Sequence, residues 1–162
     1  MSDVGMGPGA GVDADAFREA LARWASGIAV VALREEARVL ATTVSALMSV
    51  SVKPPLIMVA LGPTAQVLPY LTPGRRFGVS LLGEEQGRLA RVFSDPYPIG
   101  PSPFGEDDPV VAEAIVRLGC MVQRVDAGGD HRLVLALVDS AAHSPGGPLL
   151  RWEREYRRLA PR

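Results

Sequence analysis

The chain has 162 residues and a formal net charge of −1, with acidic and basic residues interspersed. This length suits one domain with a buried core. The balanced charge provides no basic stripe for a nucleic-acid backbone, so we expect no nucleic-acid partner. The single cysteine, Cys120, excludes an internal disulfide, and its apolar neighbours predict a buried side chain. Two histidines and one cysteine are too few for a usual transition-metal site.

The apolar runs of the chain are short, and its start is rich in glycine. Gly27–Leu33 and Leu56–Leu61 fall far below the roughly 20 residues that span a bilayer. The N-terminus lacks the layout of a secretory signal, so we predict a cytoplasmic protein without a membrane partner. Residues 1–12 predict a disordered tail, and residues 13–162 a single domain.

Helical spacing first occurs after the tail. Asp13 or Asp15 can cap a helix that runs to about Ser26. Four of its apolar residues form one stripe, which we expect to pack against the rest of the domain: Phe17, Ala20, Leu21 and Trp24. Two further helices are predicted, one at Ala65–Leu71 with Thr64 as its cap and one at about Glu84–Phe93.

The remaining apolar runs predict strands. They are Ile28–Leu33, Val39–Val44, Leu56–Leu61, Phe77–Leu82, Ala112–Val125, Leu133–Ala141, Pro148–Leu150 and a closing strand over Arg151–Leu159. Seven or eight strands with three helices fit a closed antiparallel barrel with peripheral helices. The proline-rich segment Asp95–Pro109 predicts a long surface loop, which is either a lid, a partner-binding segment or a plain connector.

Small hydroxyl-bearing residues cluster in Leu40–Pro55, between two predicted strands. In an extended conformation Thr43, Ser45, Ser49 and Ser51 would share one face. The two prolines at the end of this segment predict a turn before the next strand. Lys53, the only lysine of the chain, lies beside these hydroxyls, a combination that suits a phosphate. The segment therefore predicts a ligand site, although the last two serines could instead satisfy backbone groups of the turn.

His131 is the better candidate of the two histidines. It follows Gly129 and Asp130 at the start of a predicted strand, where Asp130 could orient its ring or raise its pKa. The alternative is a solvated turn histidine, which is how we interpret His143. No Gly-x-Ser-x-Gly elbow and no phosphate-binding Gly-Lys-Ser/Thr loop occurs, so serine hydrolysis and phosphoryl transfer are disfavoured.

Several ordered motifs of the chain resemble those of one family. Residues 41–55 resemble the hallmark segment of the flavin reductase family, with Ala41 for the usual glycine, Thr42 for an apolar residue and Leu47 for the usual aromatic. Three other segments match family motifs in the same order: Phe17–Leu21 with Gly27–Val31, Phe77–Phe93, and Gly129–His131. The resemblance covers nearly the whole chain.

This resemblance implies a mainly β fold, the closed antiparallel FMN-binding split barrel with Greek-key topology, in a homodimer with flavin sites near the subunit interface. It implies an NAD(P)H-dependent flavin reductase that binds FMN or FAD, takes a hydride from NADH or NADPH, and supplies reduced flavin to a partner monooxygenase. It assigns His131 to a position beside the flavin, where it helps to place the nicotinamide ring. The flavin-binding residues that it implies are Thr43, Val44, Ser45 and Ala46 at the rings, Ser49, Ser51 and Lys53 at the phosphate or ribityl chain, and also Phe77 and Ser80.

Two alternatives stay open. One is an electron-transfer flavoprotein that retains FMN, although such a carrier would not need His131. The other is a split-barrel oxidase similar to pyridoxamine-phosphate oxidase, a class that grips two phosphates with more basic residues than Lys53 alone.

Overall fold

The computed structural model describes residues 11–95, 98, 102–105 and 109–160. Residues 1–10 of the predicted tail lie outside this range, and the predicted loop Asp95–Pro109 is described only in part. None of the helices in the described ranges is long and apolar enough to cross a membrane.

Strands dominate the described chain, which confirms the mainly β prediction. The α-helices are α1 (Ala14–Ala22) and α2 (Gly87–Val92), and Leu68–Tyr70 forms a 3-10 helix. The strands are β1 (Ser26–Gly27), β2 (Ala29–Glu35), β3 (Arg38–Val44), β4 (Leu47–Val52), β5 (Pro55–Leu61), β6 (Arg76–Leu81), β7 (Val116–Gly128), β8 (His131–His143), β9 (Leu150–Trp152) and β10 (Glu155–Arg157).

The strands form two antiparallel sheets. Seven of them follow the order β3-β2-β6-β7-β8-β5-β4, and the other three follow the order β1-β9-β10. β3 and β4 stand at the two ends of the larger order, and no ladder joins them within the described residues. Closure of this sheet into a barrel therefore stays a prediction.

The larger sheet separates two hydrophobic clusters. β2 is buried on both faces, because Val31 packs into the larger cluster while Val30 and Ala32 pack into the smaller one. The smaller cluster also contains Ala90 of α2 and the adjacent Phe93, so this short helix is held against the sheet. Packing on both faces of β2 thus places the end of α2 beside β3.

Cys120 lies in the larger cluster and is fully buried, as predicted. Burial raises the pKa of its thiol to about 12, with a smaller contribution from the charge of Asp139. The thiol is therefore neutral at physiological pH and behaves as a small apolar side chain.

The N-terminal helix is shorter and more exposed than predicted. Asp13 caps it, since its carboxylate accepts from the backbone N–H groups of Asp15 and Ala16 at 3.0 and 3.2 Å. It ends at Ala22, and none of its residues is buried in the single chain. The expectation that its apolar stripe packs against the domain is therefore wrong within one chain.

Two other predicted elements are corrected. Ala65–Leu71 contains only the 3-10 helix, because Pro69 lacks an N–H and its ring excludes an α-helix through this position. No side chain caps this 3-10 helix. The predicted closing strand over Arg151–Leu159 is a hairpin of β9 and β10. Its turn residues Glu153 and Arg154 have φ angles of 50° and 65°, a conformation that no continuous strand contains.

Candidate functional site

A cavity of about 320 Å³ opens at one end of the larger sheet. Its walls come from the connection between β3 and β4, the end of β5 with the turn after it, the residues after α2, the start of β8, and β9. The lining residues are 41–46, 60–62, 64–66, 94, 95, His131 and Arg151.

The connection between β3 and β4 forms one wall of the cavity. Thr43 is tied to α2 twice: its N–H donates to the carbonyl of Phe93 at 2.8 Å, and its hydroxyl donates to the carbonyl of Ala90 at 2.8 Å. On the other side, the N–H of Ala60 donates to the carbonyl of Ala46 at 2.9 Å. These bonds fix a stretch of small residues whose backbone groups a ligand can approach.

His131 forms a second wall. It follows a two-residue turn in which Gly129 has a φ of 71°, the left-handed conformation that glycine adopts without strain. Its Nδ1 lies 2.7 Å from Oδ1 of Asp130, and this hydrogen bond, together with the imidazole charge, lowers the pKa of the Asp130 carboxyl. The ring is thereby held in one orientation by its neighbour in the sequence.

The other edge of the imidazole faces the end of β5. A Cβ added at Gly62 would lie 3.7 Å from Nε2 of His131, an ordinary van der Waals distance, so this nitrogen lies beside Gly62. His131 and Gly62 both line the cavity, and Nε2 beside Gly62 can donate or accept a hydrogen bond according to its tautomer.

Five of the predicted site residues line this cavity: Thr43, Val44, Ser45, Ala46 and His131. Ser49 and Ser51 lie in β4, and Lys53 lies in the turn between β4 and β5, all three outside the cavity lining. The chain changes direction at Ser45–Ala46, so the hydroxyls do not share the single extended face that their spacing predicted.

Phe77 and Ser80 lie in β6, also outside the lining. Phe77 is part of the larger hydrophobic cluster. Ser80 is fully buried, and its hydroxyl accepts from the N–H of Val111 at 2.8 Å. In this structure both side chains support the core, and their predicted contact with flavin stays a prediction.

Several lining residues were not predicted from the sequence. Gly62 and Thr64 follow β5, Ser94 and Asp95 follow α2, and Arg151 comes from β9. The first four lie just past the ends of apolar segments, where a site could be sought. Arg151 carries no such local signal, because it reaches the cavity only through the pairing of the small sheet.

The volume and lining of the cavity suit a small organic ligand. Its volume is at the lower end of the range of small-molecule sites, roughly 300–1,000 Å³. Backbone donors and acceptors, hydroxyls and the imidazole converge on it, whereas the described residues contain no group of three or more His, Cys, Asp or Glu side chains that could hold a metal. Such an arrangement can orient two ring systems without itself forming bonds to them.

Several named proteins and solved structures are similar to this chain. The reductase component of 4-hydroxyphenylacetate 3-monooxygenase from Thermus thermophilus is 40% identical over 148 residues, which cover 90% of this chain and 96% of that protein. The NADH-dependent flavin reductase StyB of Pseudomonas fluorescens is 35% identical over 154 residues, or 90% of this chain and 89% of that protein.

The solved styrene monooxygenase flavin reductase of Pseudomonas putida S12 superposes with a TM-score of 0.82 at 33% identity, covering 90% of this chain and 98% of that chain. The flavin reductase PheA2 has a TM-score of 0.84 at 27% identity, covering 93% and 100%. Residues 21–160 match the family described as "flavin reductase like domain". The family predicted from the sequence motifs is thus confirmed, and the chain belongs to the flavin reductase family.

Proposed function

We propose that the chain is an NADH-dependent flavin reductase that supplies reduced flavin to a partner monooxygenase. The observation that carries this proposal is the meeting of residues 43–46 and His131 at one cavity. Relatives named as NADH-dependent reductases of FMN and of FAD support the choice of nicotinamide cofactor and leave either flavin as substrate.

The residues of the cavity would act by positioning. When bound, the flavin accepts the hydride that the nicotinamide donates. Backbone groups of Val44, Ser45 and Ala46 would hold the polar edge of the flavin rings, and the bonds of Thr43 to α2 would keep that wall fixed. His131, oriented by Asp130, would hold the nicotinamide ring against the flavin.

The experiment that tests the proposal follows NADH oxidation at the nicotinamide absorbance band, with FMN, FAD and riboflavin added in turn. Turnover that rises with the concentration of free flavin is the expected result, and the preferred flavin then identifies the substrate. Binding of flavin without turnover would contradict the reductase and favour the carrier that retains FMN.

We also propose that the protein is a homodimer. α1 exposes Phe17 and Leu21, and Trp24 is exposed in the segment just after it, while the edge strand β4 exposes Met48 and Val52, at 56% and 80% respectively. A second cavity, about 540 Å³ and lined by both Trp24 and Met48, connects the segment after α1 with β4. Exposed apolar patches of this kind are typical of protein interfaces, and a second copy would cover the helix that one chain leaves unpacked.

Two further features complete the proposal. The seven-stranded sheet would close as a split barrel. Its two end strands, β3 and β4, are joined by only Ser45 and Ala46, and the strands next to them, β2 and β5, both contribute to the larger hydrophobic cluster. The protein would act in the cytoplasm, where NADH is available.

A further inference from the structure

The cavity has one wall that the flavin-reductase motifs do not include, and it comes from the small sheet. Arg151 lies in β9, the central strand of that sheet, where its backbone is paired with Ser26 on one side and with Tyr156 on the other. Pairing on both sides fixes the base of an otherwise flexible side chain. The guanidinium is therefore presented to the cavity from a rigid element.

The face of the small sheet that carries Arg151 leads directly into the cavity. Tyr156 stands opposite Arg151 in the antiparallel register, so both side chains share this face. The hydroxyl of Tyr156 is 3.5 Å from the hydroxyl of Ser94, which also lines the cavity. The guanidinium of Arg91 lies over the Tyr156 ring, 5.6 Å from its centre.

Arg151 differs from the neighbouring arginines in its partners. Arg23, Arg157 and Arg158 form ion pairs with Glu153, Glu155 and Glu85. Within the part of the chain that the structure describes, Arg151 forms no ion pair or hydrogen bond through its side chain. Asp95 lies on the same cavity lining, where its charge partly offsets that of Arg151, and it has an interaction of its own.

Phosphate is a ligand that an unpaired guanidinium at a nucleotide cavity can bind. Its planar fork of N–H groups matches two phosphate oxygens, and the charge strengthens each hydrogen bond. Lys53, the cation that the sequence predicted for this role, lies outside the cavity lining. We infer that Arg151 binds a phosphate group of the nucleotide held in the cavity and thereby determines which nucleotide is preferred.

This inference rests on the proposed function, because both substrates of that function carry phosphate. The phosphate belongs either to the flavin nucleotide or to the nicotinamide nucleotide, and the two sources are separable by ligands that lack it. Riboflavin is FMN without its phosphate, and nicotinamide riboside is the corresponding part of NAD⁺.

The test measures equilibrium dissociation constants of the full chain for each pair, riboflavin with FMN and nicotinamide riboside with NAD⁺. Flavin binding is followed by fluorescence quenching, and NAD⁺ is used because it cannot reduce the flavin. The variants are Arg151→Gln and Arg151→Lys. The matched control is Arg154→Gln, which removes the same charge from an exposed turn residue of the same hairpin that does not line the cavity.

We expect Arg151→Gln to weaken binding of the phosphorylated ligand of one pair by about tenfold, because one charge-assisted contact is lost. Binding of the ligand without phosphate in the same pair should change by less than about twofold. Arg151→Lys should retain part of the affinity, and Arg154→Gln all of it. A loss confined to FMN assigns the phosphate to the flavin. A loss with NAD⁺ that recurs with nicotinamide mononucleotide, which adds only a phosphate to the riboside, assigns it to the nicotinamide nucleotide.

If the wild type binds and turns over flavin, two results would overturn the role of Arg151. One is an unchanged ratio of the two dissociation constants in both pairs, and the other is an equal loss of affinity for both ligands of a pair. A wild type that binds neither flavin nor NAD⁺ would instead overturn the proposed function, and the inference with it.

Discussion

The imidazole of His131 illustrates how one residue can be positioned by its nearest neighbours. Oδ1 of Asp130 lies 2.7 Å from Nδ1, and Nε2 lies beside Gly62, which lines the same cavity. His131 makes none of the hydrogen bonds that shape the wall of residues 43–46. Its contribution should therefore concern the nicotinamide more than the flavin.

We predict that His131→Ala lowers the turnover of NADH on the order of 10- to 100-fold, the loss expected when a reacting ring is held less accurately, with little loss of flavin binding. Steady-state kinetics and flavin titration measure the two effects separately. His143→Ala is the control, since His143 is exposed at the far end of β8 and does not line the cavity. Equal activity of the two variants would remove His131 from the mechanism.

Residues that lie close in sequence were the predictable part of the site. A local motif was sufficient to predict that Thr43–Ala46 and His131 line the site, because the residues of each motif are adjacent in the chain. The positions of Ser49 and Ser51 were beyond a local motif, because the bulge between the two serines arises in the pairing with β5, and their contact with flavin stays a prediction. Arg151 was missed because its position depends on pairing with β1, more than a hundred residues earlier.

At the scale of elements, strands were predicted better than helices and hairpins. An apolar run such as that of β5 determines a strand by itself, whereas Pro69 and the turn at Glu153–Arg154 interrupted patterns that otherwise looked continuous. The packing of loops on strands was also beyond prediction. Gly78 of β6 shows this, because a Cβ at this position would lie 2.5 Å from the carbonyl oxygen of Pro109 and 2.9 Å from its carbonyl carbon.

We predict that Gly78→Ala destabilises the protein by ~1–3 kcal/mol, because the backbone at Pro109 has to move away from β6. Urea unfolding measures the loss as a lower midpoint at constant slope. Gly27→Ala is the matched control, since a Cβ at Gly27 meets nothing within 4 Å. The same loss in both variants would show that the effect comes from glycine itself and not from the contact with Pro109.

At the scale of the whole molecule, the apolar surface of α1 and β4 is the feature that one chain does not explain. Trp24, just after α1, is 73% exposed and Met48 of β4 is 56% exposed, and both line the second cavity. Leaving this surface in water is unfavourable by roughly 25 cal/mol for each Å² that a partner could cover. Within one chain no residue of α1 is buried, and only its C-terminal end is tied to the small sheet, where Ala22 accepts from the N–H of Glu153 at 2.8 Å. A second copy is therefore the occupant that would also fix this helix.

We predict that the wild type has twice the 17.2 kDa mass of one chain in light scattering at micromolar concentration. Met48→Glu should shift it toward the monomer, because a buried unpaired carboxylate at the interface is costly. Ala37→Glu, which adds the same charge at the exposed turn between β2 and β3, should stay dimeric. A wild type that is monomeric at this concentration, or a control that dissociates as Met48→Glu does, would contradict the dimer through this surface.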